Sequence, residues 1–165
     1  MNEENILDIK GTAEKEEQKS LSNFRPYKFV LDGVECASME GLLQSLKTKN
    51  IALQKEICGR SGKEAKNSFE KKWQNTWWKL TGILYWQGKP MRRRSDEYQY
   101  FLDRAYDALY SNPEFVKALL EAKGKTLIHS VGKHSTHETV LTEYEFLSRI
   151  ERCREKALRD LQNEN

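Results

Sequence analysis

The sequence has few cysteines and no long hydrophobic run. Its three cysteines, Cys36, Cys58 and Cys153, are an odd number at wide spacings, which is typical of reduced thiols in a cytosol rather than of a disulfide framework. No run approaches the roughly 18 apolar residues that a membrane-spanning helix needs. The start Met1-Asn2-Glu3-Glu4 has two acidic residues and no basic one, unlike the basic start of a secretory signal. We therefore expect a soluble, cytoplasmic protein.

Several catalytic signatures are also missing. The sequence has no glycine-rich phosphate loop of the Walker or dinucleotide type and no Gly-x-Ser-x-Gly elbow, which argues against kinases, NTPases and serine hydrolases. His134 and His137 have no partner in a recognised metal-binding spacing. We expect neither a metal nor a cofactor. The formal net charge of +3, from 28 basic and 25 acidic side chains, does not by itself specify a nucleic-acid binder.

The organisation along the chain indicates one domain after a short tail. Residues 1–20 are mostly polar, with only Ile6, Leu7 and Ile9 to bury, so we predict a flexible charged tail with at most one short strand. Residues 21–160 are predicted to form one compact domain, since a chain of 165 residues buries roughly 70% of its unfolded surface. The predicted class is mostly α (α+β), a helical domain with a small N-terminal β-hairpin and short strands.

Turn and capping residues predict where the helices and strands lie. Asp32-Gly33 between β-prone residues predicts a hairpin over residues 27–36, and Ser38 is a candidate N-cap for a helix running through Lys47. Further helices are predicted at residues 51–58 and 63–72, from Ser95 to residue 109, and at 113–123 after the N-cap Asn112. A Thr142 and Glu145 capping box predicts a last helix with an amphipathic stripe that reaches Ala157. Short strands are expected at residues 83–86 and 126–129, and a connection at Arg92 to Arg94.

Glu40, Gln44 and Lys47 recur at i, i+4 and i+7, so on a helix they share one face. If this face is a site, Glu40 would transfer protons or hold a sugar hydroxyl. Gln44 would hydrogen-bond to a polar edge of the ligand, and Lys47 would bind phosphate or act as a nucleophile. The alternative is an ordinary solvated helix face.

Aromatic and basic clusters offer further candidates. Four tryptophans lie between Trp73 and Trp86, and they are expected either in the core or stacked on a nucleobase. Trp77 and Trp78 point in different directions on any regular element, so at least one of them should face a cleft or the surface. The run from Arg92 to Arg94 is interpreted as a solvated loop or a phosphate contact.

Several segments together resemble the NADAR, or YbiA-like, family. They are residues 21–24 (Leu-Ser-Asn-Phe), 29–34 (Phe-Val-Leu-Asp-Gly-Val), 38–47 (Ser-Met-Glu-Gly-Leu-Leu-Gln-Ser-Leu-Lys), 59–66, 73, 118–120, 127–132 and 139–146. The resemblance covers most of the chain, roughly residues 21–154. Gly41 follows Glu40 where many members carry a larger residue, which predicts a roomier pocket.

The resemblance implies an N-glycosidase that hydrolyses a ribosyl-phosphate or ADP-ribosyl compound, either ADP-ribosylated guanine in nucleic acid or a phosphoribosylamino-pyrimidine of riboflavin synthesis. Lys47 matches the family lysine that attacks the anomeric carbon through a Schiff-base-like adduct, and Glu40 would pass protons to the departing base nitrogen. A lysine beside apolar Leu43 and Leu46 is expected to have a lowered pKa. The implied substrate-binding residues are Asn23, Phe24, Gln44, Arg60, Lys66, Trp78, Trp86, His129 and Thr139.

Two other functions fit the same residues. One is a non-catalytic ADP-ribose or nucleotide-binding module that keeps the pocket without turnover. The other is a nucleic-acid-binding protein in which Arg92 to Arg94 and an exposed tryptophan face a strand. The expected partners are thus a small nucleotide or an ADP-ribosylated nucleic acid, without a membrane, and the oligomeric state is left open.

Overall fold

The computed structural model describes residues 5–165, and in that range the chain forms eight helices and six strands. They are β1 (Ile6–Asp8), α1 (Glu16–Lys19), β2 (Phe29–Leu31), β3 (Val34–Cys36), α2 (Met39–Ser45), α3 (Ile51–Cys58), α4 (Gly62–Lys66), α5 (Trp73–Thr81), β4 (Ile83–Trp86), β5 (Lys89–Arg92), α6 (Asp96–Leu109), α7 (Pro113–Glu121), β6 (Thr126–Ile128) and α8 (Glu143–Asn163). The described strands pair into two-stranded sheets only, β1 with β6, β2 with β3 and β4 with β5. This helix-rich α+β architecture confirms the predicted fold class.

The parallel pair β1 and β6 joins the start of the described chain to a segment far along the sequence. Leu7 is opposite Leu127 in the register, and Leu7 and Ile9 are buried in the core. Residues 5–20 of the predicted tail therefore contribute a strand, a short helix and two core side chains. The first four residues of that tail lie outside the described residues.

The β2–β3 hairpin confirms the turn that Asp32-Gly33 predicts. Both residues have positive φ, 49° for Asp32 and 79° for Gly33, as a two-residue turn between twisted antiparallel strands requires. The Asp32 carboxylate accepts hydrogen bonds of 2.8 Å from the Trp86 indole and from Arg104. The hairpin tip is thereby attached to β4 and α6.

Helix α2 lies inside the fold. Ser38 Oγ accepts a 3.0 Å hydrogen bond from the Gly41 amide, which confirms the predicted N-cap. A Cβ on Gly41 would lie 2.5 Å from the Arg60 carbonyl oxygen, so glycine permits close packing against the end of α3. The expectation that Gly41 enlarges a pocket is wrong, because its missing side chain faces backbone. The helix ends at Ser45, and Lys47 lies on the turn that follows.

The segment after α3 departs from the single predicted helix over residues 63–72. Helix α4 is short and ends at Lys66. Lys71 has a positive φ of 57°, a conformation that no helix continues through. A separate helix, α5, then carries three tryptophans and ends at Gly82, which has the left-handed conformation typical of helix termini.

Helices α6, α7 and α8 complete the core, and each begins with a side-chain cap that the sequence predicts. Ser95 caps α6, Asn112 caps α7 before Pro113, and Thr142 with Glu145 forms the capping box of α8. Their inward faces bury large side chains, among them Tyr98, Tyr106, Phe115, Phe146 and Ile150. Within residues 5–165, no helix combines the length and apolar character that crossing a membrane requires.

Candidate active site

A cavity of about 570 Å³ opens beside α2. Its walls come from residues 22–24, from residues 66–79 and from residues 129–141, with the end of β6 on one side. The volume lies within the range of roughly 300–1,000 Å³ that small-molecule sites occupy. The cavity therefore has room for a ligand of nucleotide size.

Glu40 lies on the α2 wall of this cavity. Its backbone amide donates to the Asn23 carbonyl oxygen at 3.1 Å, which holds the start of α2 against residues 22–24. Burial raises the pKa of the Glu40 carboxyl, an effect that the hydrogen bond from Gln44 and the charges of Lys47, Lys66 and His129 oppose. A carboxyl with a raised pKa keeps its proton to higher pH and is suited to act as a general acid.

Gln44 lies one turn further along α2 and is only 8% exposed. Its Nε2 donates a 3.0 Å hydrogen bond to Glu40 Oε1. Its other amide atom, Oε1, is buried and accepts no hydrogen bond from any residue in the described range. Because an unpaired buried acceptor is costly, this oxygen is suited to receive an N–H or O–H group of a ligand.

Lys47 reaches the cavity from the turn after α2. Its Nζ donates a 3.0 Å hydrogen bond to Asn75 Oδ1 and lies 5.9 Å from the centre of the Trp78 ring. Burial lowers the pKa of Lys47 from 10.5 to about 8, helped by Lys79 and Lys133 and opposed by Glu40. An amine with this pKa is partly neutral, and therefore nucleophilic, at physiological pH.

His129 follows β6 and is oriented by β1. Its Nδ1 lies 2.7 Å from the Ile9 carbonyl oxygen, so in the neutral ring Nδ1 carries the proton and Nε2 is the acceptor. The ring packs against Phe146 with 4.8 Å between the centres. The Asp8 carboxylate accepts from the Ser130 amide at 3.0 Å, which fixes the next residue as well. The sheet thus presents a positioned imidazole to the cavity.

The cavity wall carries an excess of positive charge. Lys66, Lys79 and Lys133 line it together with Lys47, whereas Glu70 and Glu138 are the acidic residues besides Glu40. With four lysines against three glutamates, the cavity has lysine side chains available to contact anionic groups such as phosphate.

The wall from Thr139 to Leu141 is held by a buried ion pair. Arg93, which is 0% exposed, contacts Glu145 through Nη1 at 3.0 Å and donates from Nε to the Thr139 carbonyl oxygen at 2.9 Å. The Tyr98 hydroxyl donates to the Val140 carbonyl oxygen. The predictions for the arginine run are therefore wrong for Arg93, which supports the cavity wall from inside the core.

Most of the predicted binding residues meet at this cavity. Asn23, Phe24, Gln44, Lys66, His129 and Thr139 line it with Glu40 and Lys47. Trp78 is buried behind Lys47 and donates from its indole to Asn75 Oδ1 at 3.2 Å. It supports the amine and does not line the cavity.

Two predicted binding residues point elsewhere. Arg60 contacts Glu56 at 3.3 Å and Ser68 at 3.0 Å. Trp86 packs edge-on against Phe101, with 5.5 Å between the ring centres, and donates to Asp32. Trp86 cannot stack on a ligand in the cavity because the core surrounds it.

Several polar residues of the cavity were not among the predicted site residues, and Asn75, Lys79 and Lys133 are the ones that bear on Lys47. Asn75 and Lys79 are four residues apart, the spacing that places side chains on one face of a helix. A helix predicted over residues 73–81 would have identified that pair. Lys133 follows the predicted β6 strand closely, but no local signal distinguishes it from other loop lysines. Among the described residues, no three His, Cys, Asp or Glu side chains cluster as a metal site.

Together, the fold and the site define an α+β protein with a cationic, ligand-sized cavity that contains a lysine and a carboxyl. The chain belongs to the family described as bacteriophage protein GP30.3, which matches residues 17–155. It is 37% identical over 133 residues to a protein of Enterobacteria phage T4 described as an uncharacterized 17.1 kDa protein in the Gp30-rIII intergenic region, a match that covers 78% of this chain and 84% of that protein. No solved structure matches the chain.

These matches correct the resemblance drawn from the sequence motifs. Assignment to the NADAR family is wrong, because the family that matches residues 17–155 is the phage GP30.3 family. The NADAR resemblance therefore no longer supports riboflavin intermediates or ADP-ribose compounds as substrates.

Proposed function

We propose that this protein is an enzyme that cleaves the N-glycosidic bond of a phosphorylated riboside, with Lys47 as the nucleophile and Glu40 as the general acid. The observation that carries the proposal is the presence of both groups in one cavity, an amine with a pKa of about 8 and a carboxyl with a raised pKa. Nucleophile and acid are the two functions that breaking a carbon–nitrogen bond to a base requires.

The protonation states suit this role near neutral pH. With a pKa of about 8, roughly one Lys47 side chain in ten is neutral at pH 7, whereas an ordinary lysine is neutral in fewer than one molecule in a thousand. Burial keeps the Glu40 proton in place over a wider pH range. The same cavity therefore supplies an electron pair and a proton.

The reaction has two steps. The Lys47 amine attacks the anomeric carbon, the bond from that carbon to the base breaks, and the Glu40 proton goes to the base nitrogen. The Nζ–carbon bond is then cleaved by water, which gives one proton to the Glu40 carboxylate and its oxygen to the sugar. The amine and the protonated carboxyl are regenerated, and free base and phosphorylated ribose leave.

The other cavity residues supply binding. Lys66, Lys79 and Lys133 provide cationic contacts for phosphate. The unpaired Gln44 Oε1 accepts from a sugar hydroxyl or a base N–H group. His129 Nε2 offers a second acceptor, because Ile9 fixes the proton on Nδ1. The partner is thus a small nucleotide.

The experiment is mass-spectrometric detection of free base after incubation with a panel of purine and pyrimidine nucleoside 5′-monophosphates and diphosphates. We expect release from at least one compound with the wild-type protein and none with Lys47→Ala. Lys49→Ala is the matched control, because Lys49 is exposed two residues away and does not line the cavity. Full activity in Lys47→Ala would overturn the mechanism.

A binding module without turnover is the other outcome of this experiment. It would be supported if calorimetry detected tight binding of a nucleotide that the wild-type protein leaves intact. The buried Gln44 acceptor and the cationic wall serve that function equally well, and only product formation distinguishes the two functions.

The three thiols bear on where the protein acts. Cys36, Cys58 and Cys153 are free and buried, which suits a reducing compartment. We propose on this basis that the protein acts in the cytoplasm. Extraction with a thiol-blocking reagent would check it, because three unoxidised cysteines are expected in protein taken directly from cells.

A further inference from the structure

The region from α5 to β5 is the most basic part of the chain. Residues 71–94 contain seven basic side chains and no acidic one, whereas the remaining residues hold 21 basic and 25 acidic side chains. The charge of Arg93 is compensated by its buried ion pair with Glu145. The other six are exposed, and none forms an ion pair within the described part of the chain. This region therefore presents uncompensated positive charge.

The same region exposes large apolar side chains. Trp73 is 68% exposed, Trp77 48% and Leu80 77%. Their spacing of four and three residues places them on one face of α5, which we call the outer face. Trp78, on the inner face, is 1% exposed. Two exposed tryptophans one turn apart are unusual on a protein surface, where contiguous large apolar side chains mark an interaction site.

Basic side chains lie at both ends of the outer face. Lys71 and Lys72 immediately precede Trp73 at the N-terminal end of α5. At the other end, Arg94 lies against Gly82, where an added Cβ would be 3.0 Å from Nη2. Glu70 and Asp96 bound the basic stretch in sequence. The outer face thus combines two flat aromatic surfaces with cations at both ends.

We propose that the outer face of α5 binds single-stranded nucleic acid, with bases stacked on Trp73 and Trp77 and phosphates contacting Lys71, Lys72 and Arg94. Stacking platforms among basic side chains are the features that bind single strands without sequence preference. A duplex is disfavoured because its base faces are already stacked. A protein partner is disfavoured because lysine is depleted at protein interfaces.

This surface is separate from the chemistry proposed for the cavity. Helix α5 turns Asn75 and Lys79 towards the cavity, while Trp73 and Trp77 point outwards. Lys47→Ala should therefore leave nucleic-acid affinity unchanged. If the wild-type protein binds the strand but releases no base from any nucleotide, the proposed function is contradicted and this inference stands. If the wild-type protein releases base but does not bind the strand, this inference is contradicted and the proposed function stands.

The test is fluorescence anisotropy with a labelled oligothymidylate of about twelve nucleotides, titrated with full-length protein at several salt concentrations. We expect Trp73→Ala and Trp77→Ala each to weaken binding by about 5- to 150-fold, the range for loss of one stacked base. Tyr144→Ala is the control, because Tyr144 is 80% exposed on α8. Circular dichroism should show the same fold in all variants.

Charge reversal tests the phosphate contacts. The logarithm of the binding constant should fall with the logarithm of salt concentration, and Lys71→Glu with Lys72→Glu should lower that slope by about 1.4, since each phosphate contact contributes about 0.7. Lys117→Glu with Lys123→Glu makes the same change in net charge on α7 and after it, and should leave the slope unchanged.

Three results would overturn the inference. One is no binding of the oligonucleotide at low salt. Another is binding that all four lysine substitutions weaken equally while the tryptophan substitutions have no effect, because that is non-specific charge attraction. The third is binding to phosphatidylserine vesicles, lost in Trp73→Ala, without binding to the oligonucleotide, which would make the outer face a membrane contact.

Discussion

Lys47 Nζ donates a 3.0 Å hydrogen bond to Asn75 Oδ1, and the same oxygen accepts a second hydrogen bond from the buried Trp78 indole at 3.2 Å. Asn75 thereby joins the cavity amine to the inner face of α5. A neutral amide holds the amine in position without adding the negative charge that would keep it protonated. Asn75 is a positioning residue for Lys47.

Asn75→Asp should raise the pKa of Lys47, because a carboxylate in hydrogen-bonding distance stabilises the ammonium form. The Lys47 signal in a 13C NMR titration of the reductively methylated protein should then move from about 8 to higher pH. Asn67→Asp, in the same cavity wall but without a hydrogen bond to Lys47, should cause a smaller change. An unchanged titration in Asn75→Asp would contradict the assigned contact.

Lys47 should make folding stability depend on pH between about 8 and 10.5, its folded and ordinary pKa values. In this window the unfolded chain binds more protons at Lys47 than the folded protein, so this contribution to the free energy of unfolding rises with pH. Lys47→Met lacks it.

Urea denaturation from pH 7 to pH 10 measures the effect. Below pH 8, the free energies of unfolding of Lys47→Met and the wild-type protein should differ by a constant amount. Above pH 8, the wild-type protein should become more stable relative to the variant. Lys49→Met, at an exposed position, should follow the wild-type curve. Parallel curves for Lys47→Met and wild type would show that the Lys47 pKa is not lowered by folding.

Glu40→Gln should reduce base release by about 10²- to 10⁴-fold, the range for loss of a general acid. The substitution keeps the size of the side chain and an acceptor for Gln44, so the fold should be retained. Glu138→Gln removes a different carboxylate from the same cavity wall and should have a small effect. Equal losses in the two variants would indicate that the cavity needs negative charge rather than the Glu40 proton.

Arg93→Met should destabilise the protein by about 3–5 kcal/mol, because it leaves the Glu145 carboxylate buried without its partner. The double variant Arg93→Met with Glu145→Met should be less destabilised than the single one, since no buried charge is left unpaired. Urea denaturation of the two variants measures the difference. A double variant as unstable as the sum of its single variants would contradict the account of two buried charges that stabilise each other.

The sequence predicted elements whose signals are local. Asp32-Gly33 needs two positive φ angles, and Ser95, Asn112 and Thr142 each satisfy free amide groups at a helix start, so these features depend on residues within one turn. The face formed by Glu40, Gln44 and Lys47 was also predicted, although helix α2 ends before Lys47.

The contacts that complete the site could not be read from local signals. The hydrogen bond from Lys47 to Asn75 spans 28 residues, and the bond from Arg93 to Thr139 spans 46. Pairing of β1 with β6 sets the orientation of His129 from the opposite end of the chain. Such pairs are determined by the packing of the whole core, and a run of three arginines gives no indication that its middle member is buried.

The most direct test of the central claim, that Lys47 is the nucleophile of this cavity, is trapping with cyanoborohydride in the presence of ribose 5-phosphate. The aldehyde form condenses with a neutral amine and loses water, and hydride then reduces the imine to a stable secondary amine. Peptide mass spectrometry at pH 7 should locate the adduct on Lys47 in preference to exposed lysines such as Lys49 and Lys117. Adducts spread over the exposed lysines, with none on Lys47, would contradict the claim.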